Sequence, residues 1–137
     1  MGTTLQNDNG IFATSNVLFE YTRAQAISDG VLVDLSTSFP SDTRMFKWNL
    51  CCTESVWALI ENTAKTEDLD CPDVYVWDLA FMAFNAIRTQ GNTGSEHLFF
   101  KITLPLCENG TEHRLKLVCG PGDAGEPVLT IMLINED

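Results

Sequence analysis

The sequence predicts an α+β fold: a C-terminal antiparallel three-stranded meander packed against a long apolar helix, preceded by an N-terminal strand–helix–strand unit. Three observations predict it. Residues 97–136 hold apolar-alternating runs separated by Asn109-Gly110 and by the Gly- and Pro-rich segment 120–127. Residues 74–87 are apolar almost throughout and lie between Pro72 and Gly91, which suit a helix start and a helix stop. Residues 17–35 alternate extended and helical patterns within one short stretch. The chain has 137 residues, 45% of them hydrophobic. That suits a single domain, 1–137, with a core that needs neither metal nor disulfide. The polar, Asn-rich residues 1–14 are expected to be loosely ordered.

Residues 17–21 fit a short strand. Thr22-Arg23-Ala24-Gln25 then has the form of a capping box, in which the Thr22 hydroxyl accepts from the third helical N–H and Gln25 reaches back to the Thr22 N–H. Gly30 ends this helix, since glycine alone takes a positive φ without strain. Residues 31–35 resume as a strand with Val31, Val33 and Leu35 on one side, and 36–43 form a loop. Residues 45–50 read as extended, with Phe46 and Trp48 alternating. Thr53 is placed to N-cap a helix to about Thr63, with Val56, Leu59 and Ile60 on its buried face. The long helix carries Val74, Tyr75, Val76, Trp77, Leu79, Phe81, Met82, Phe84 and Ile87. Apolar almost all round, it is expected to be covered on several sides.

Asn-Gly between alternating runs favours a two-residue turn with both central residues at positive φ. Centred on 109–110, that turn pairs Leu104 with Leu115, Ile102 with Leu117 and Phe100 with Cys119, an apolar face. The other face pairs Pro105 with Arg114, Thr103 with Lys116 and Lys101 with Val118. Lys101, Arg114 and Lys116 thereby gather on the solvent side, where they form a candidate anion-binding patch.

Nineteen acidic residues against eight basic ones give a net charge of -11. The charge argues against general nucleic-acid binding, because no excess of cations is available to displace counterions from phosphates. Anionic membrane surfaces are disfavoured for the same reason. Nothing near the start resembles a signal peptide, and no apolar run approaches the ~18 residues of a membrane span. A cytoplasmic protein is expected. Five Cys, of which only Cys51-Cys52 are close together, and two distant His lack zinc-site spacing, so no metal and no cofactor are expected. Segment 120–125 has the glycines of a phosphate loop, but a strand pattern follows it rather than a helix, so it reads as a hairpin turn. Glu67, Asp68, Asp70 and Asp73 lack the regular spacing, central Gly and closing Glu of a calcium loop. They suit the N-terminus of the long helix, and with Asp123 and Glu126 they are candidates for an acidic contact surface.

Three blocks carry a family resemblance: Tyr21-Thr22-Arg23-Ala24-Gln25-Ala26-Ile27-Ser28-Asp29-Gly30-Val31-Leu32-Val33-Asp34, then Trp77-Asp78-Leu79, then residues 116–123 with 126–133. In this order they resemble an uncharacterised family of small acidic proteins encoded by phages and plasmids, a domain of unknown function. Residues 36–69 match it least. The resemblance brings no catalytic residues. It implies accessory genes of mobile elements, among which inhibitors of host defence are common. The expectation is therefore a non-enzymatic inhibitor of a host defence complex, of anti-CRISPR or anti-restriction type. Its acidic, nucleic-acid-mimicking surface would meet a basic protein partner. The alternatives are a small-ligand binder that sequesters an anionic nucleotide on Lys101, Arg114 and Lys116, and an enzyme whose site the sequence does not display.

Overall fold

The computed structural model describes residues 21–66, 72–91, 97–104 and 111–136. Among these residues five strands, β1 (Leu32–Asp34), β2 (Asn49–Thr53), β3 (His97–Leu104), β4 (Thr111–Pro121) and β5 (Pro127–Leu133), form one mixed sheet in the order β1-β2-β5-β4-β3. Four helices accompany them among the described residues: α1 (Arg23–Ser28), α2 (Leu35–Ser38), α3 (Glu54–Thr66) and α4 (Asp73–Gln90). The fold is α+β, but the expected three-stranded sheet is too small. Strands β3, β4 and β5 pair antiparallel in sequence order, and β5 then continues into a parallel ladder with β2. The strand expected at 17–21 lies outside the described residues except for Tyr21, as do residues 1–14 and the turn at Asn109-Gly110.

The register of β3 against β4 differs from the sequence expectation. Leu104 pairs with Thr111, and Leu115 pairs with Phe100 rather than Leu104. The pairing is therefore displaced by four positions from the expected register. Because the shift is even in sequence, every side chain keeps its predicted face. One row across the sheet runs Val33, Cys52, Ile131, Leu117, Leu98, all on the face that carries the core.

Helices α3 and α4 cover that face. Val56, Ile60, Thr63 and Ala64 face inward from α3. The Thr53 Oγ accepts from the Val56 N–H at 3.4 Å, as the N-cap reading requires, and donates to Glu136 at 2.8 Å. Helix α4 turns Tyr75, Val76, Leu79, Ala80, Ala83 and Ala86 to the core. Its small residues let the helix axis approach the sheet closely. Val74, Trp77 and Phe81 on its opposite side are exposed, so the expectation of cover on several sides is corrected. Segment 39–48 packs at the end of the helical layer through Phe39 on Trp57 and Phe46 on Phe84.

Two local readings change. Leu35 starts α2 instead of ending β1, because Asp34 caps that helix and accepts from the Thr37 N–H. Strand β2 runs through Cys51 and Cys52 instead of Phe46 and Trp48, because two buried thiols behave as small apolar residues in a sheet interior. Burial pushes both thiols up, Cys51 to about 11, so they stay protonated. No helix among the described residues is long and apolar enough to cross a membrane.

Candidate partner-binding surface

The second face of the sheet is polar at one end. Helix α1 lies there, and its four N-terminal N–H groups are all satisfied. Arg23 and Ala24 donate to the Asp123 carboxylate at 2.8 and 3.0 Å, Gln25 donates to the Thr22 Oγ, and Ala26 donates to the Thr22 carbonyl. Gln25 returns the bond to Thr22, completing the capping box. At the other end Gly30, at φ +81°, donates to Ile27 while Val31 donates to Ala26, a Schellman closure. The Arg23 guanidinium then spans β2 and β5. It donates to Asn49 Oδ1 from Nε and Nη2, to Thr130 Oγ1 from Nη1, and to the Leu129 carbonyl from Nη2. Asn49 passes the network on to Asp34 at 3.0 Å.

Two of the six predicted acidic contact residues are therefore committed to the fold. Asp123 caps α1, and Glu126 accepts from the Ala124 N–H inside the hairpin turn. Glu67, Asp68 and Asp70 lie outside the described residues, and Asp73 is exposed in the first turn of α4. The Arg23 and Ala24 N–H groups hold the Asp123 carboxyl below the ordinary carboxylate range. A group depressed in the folded state contributes stability that is complete above its unfolded pKa. That contribution is lost as pH falls through the folded value. Asp123→Asn is expected to flatten the acid limb of stability against pH in denaturant titrations, and an unchanged limb would mean that the cap acts without its charge.

Lys101, Arg114 and Lys116 share the exposed face of β3 and β4, in altered pairs. Lys101 stands directly opposite Arg114, and Lys116 is half-buried opposite Phe99. Like charges placed opposite one another repel. Glu112, 3.9 Å from the Lys101 Nζ, offsets part of that repulsion. A cleft of about 340 Å³ beside the pair is lined by Phe99, Phe100, Lys101, Arg114 and Ile134. His113 has the same parity as Leu115 and Leu117. It stands opposite Ile102 with a buried Nε2 that has no hydrogen-bond partner among the described residues.

The feature that sequence reading missed is the outer side of α4. Val74, Trp77 and Phe81 recur at helical spacing and are 56%, 44% and 39% exposed. The Trp77 and Phe81 rings stack at 5.1 Å with an interplanar angle of 6°. Asp73 and Asp78 flank them on the same helix, and partial desolvation pushes the Asp78 carboxyl up. An apolar aromatic patch rimmed by carboxylates is the composition of a protein contact surface. The signal was present in the sequence as the spacing of Ala80, Ala83 and Ala86, which marks the sheet-facing seam and leaves the large side chains outside. Among the described residues no group of three or more His, Cys, Asp or Glu is placed to hold a metal ion.

No curated protein and no solved structure matches the chain. The family model described as "Family of unknown function (DUF6573)" matches residues 8–137, and the chain belongs to that family.

Proposed function

We propose that this chain is a non-enzymatic accessory protein of mobile elements that inhibits a host defence complex by occupying its basic, nucleic-acid-binding surface. The exposed Val74–Trp77–Phe81 face of α4, flanked by Asp73 and Asp78, carries this reading. Stacked aromatics of this kind supply binding energy once desolvated, and the surrounding carboxylates select a cationic partner. The net charge of -11 steers the encounter with such a partner. The sequence resemblance to phage- and plasmid-encoded proteins supports the setting.

Phage plating on cells that carry defined CRISPR or restriction systems tests the reading. Expression of the chain is expected to restore plating against at least one system, and Trp77→Asp with Phe81→Asp is expected to abolish the effect. Both side chains are partly exposed, so the double variant should remain folded with only a modestly lower unfolding midpoint from carboxylate repulsion along the helix, which a parallel denaturant titration checks. Binding to the purified complex is expected to weaken above ~0.3 M salt, as the Debye length shortens. Restoration that survives both substitutions would remove α4 from the contact, and no restoration with any system would end the proposal.

A second reading, sequestration of an anionic nucleotide, draws on the cleft where Lys101 faces Arg114 beside Phe99. A calorimetric titration with nucleoside mono-, di- and triphosphates is expected to show binding that Arg114→Ala removes. Silence with all of them disposes of it.

A further inference from the structure

Among the described residues strand β3 is an edge of the sheet, and Gln90 shows how that edge can be used. The Gln90 side-chain amide donates to the Phe99 carbonyl at 2.7 Å and accepts from the Phe99 N–H at 3.2 Å. One side chain thus supplies the two bonds that a neighbouring strand would supply. Peptide groups alternate sides along an antiparallel strand, so Lys101 and Thr103 direct their N–H and C=O to the same open side as Phe99. Neither has a backbone partner on that side among the described residues. Beside them runs a groove of about 270 Å³ lined by Asp78, Phe81, Met82, Lys101, Ile102 and Thr103.

We propose that β3 accepts an added strand from the partner. This is an extended basic segment that pairs with the backbone of Lys101 and Thr103, lays an apolar side chain on Phe81 and Met82, and sets a Lys or Arg against Asp78. The inference rests on the reading of α4 as the partner-binding face and supplies its geometry. Unpaired edge N–H and C=O groups are a template for an extended chain. Charge chooses the occupant: a second copy would bring another -11 to this edge, whereas a basic segment is drawn to it. Lys101 is already engaged by Glu112, which lowers the repulsion that a basic segment would meet. Gln90 limits the length, because it closes the edge at Phe99 and leaves a short ladder.

The probe is an acetylated, amidated octapeptide of alternating Lys and Val, titrated into the isotope-labelled full chain. Shifts and exchange protection are expected at the Lys101 and Thr103 amides. The same peptide N-methylated at every bond, and its Glu–Val counterpart, are each expected to bind at least about tenfold more weakly. Thr103→Pro removes an outward N–H without touching the β4 ladder and should weaken binding by about tenfold. Should that variant unfold, the N-methylated peptide decides alone. Equal binding by the N-methylated peptide, shifts elsewhere, or no binding up to about 1 mM overturns strand addition. If it fails while Trp77→Asp with Phe81→Asp still abolishes defence inhibition, the α4 reading stands without it. If the peptide pairs as expected and those substitutions leave inhibition intact, the groove is real and the α4 reading falls.

Discussion

Ile131→Ala is expected to lower the unfolding free energy by about 3–4 kcal/mol. Ile131 is fully buried at the middle of the central strand, paired with Cys52 on one side and Leu117 on the other. Shortening it removes three carbons from a site enclosed by a sheet on both flanks and helices above. The sheet cannot close over the void without breaking two ladders, so most of the cavity should persist. Urea unfolding is the measurement, with a lower midpoint and an unchanged slope as the result. Val74→Ala on the exposed side of α4 is the control and should stay within about 0.5 kcal/mol of the parent. A loss below about 1 kcal/mol at Ile131 would mean that the centre of the sheet repacks, contrary to the row of contacts described.

Arg23→Lys is expected to cost about 2–3 kcal/mol, although it keeps the charge. The guanidinium reaches Asn49, Thr130 and the Leu129 carbonyl at once, a planar fork across two strands that an ammonium cannot reproduce. Lysine would leave at least one of these partly buried acceptors without its bond. The network also ties α1 to the sheet, so the exchange protection of residues 23–28 should fall more than that of β3 and β4. Coupling gives a second readout. Arg23→Lys combined with Asn49→Ala should cost less than the two losses added, because both act on one network. Strict additivity, or a cost for Arg23→Lys below about 0.5 kcal/mol, would show that the network is a surface arrangement without energetic weight.

Patterns that are local in sequence were legible in it. The capping box at Thr22 and Gln25, the stop at Gly30, the Thr53 cap and the span of the long helix each depend on a few neighbouring residues. Face assignment in β3 and β4 was legible as well, since alternation alone decides it. Register was not, because shifts of two or four residues keep every apolar residue on the apolar face and cost nothing in burial pattern. Strand β2 was hidden for a related reason: Cys51 and Cys52 carry no alternation, and the more aromatic Phe46 and Trp48 stood nearby. The partners of Arg23 and Asp123 lie about a hundred positions apart in sequence, and no local rule could join them. Asp123 therefore looked like a surface carboxylate although it caps a helix. Trp77 and Phe81 looked like core because their size says only that they prefer burial, and burial against a partner satisfies that preference equally well.

The parallel ladder between β2 and β5 has a consequence for how the chain is made. Asn49 finds Val128 and Cys52 finds Ile131 across most of the polypeptide, and among the described residues β5 alone connects the β1–β2 pair to β3 and β4. During synthesis the segment from 32 to 53 emerges early, and its partner on the inner edge, β5, is complete only once residue 133 has left the ribosome. Such late closure slows folding and prolongs exposure of a strand edge in the nascent chain. Abundance in the cell should therefore depend on chaperone supply more than the stability of the finished protein would suggest.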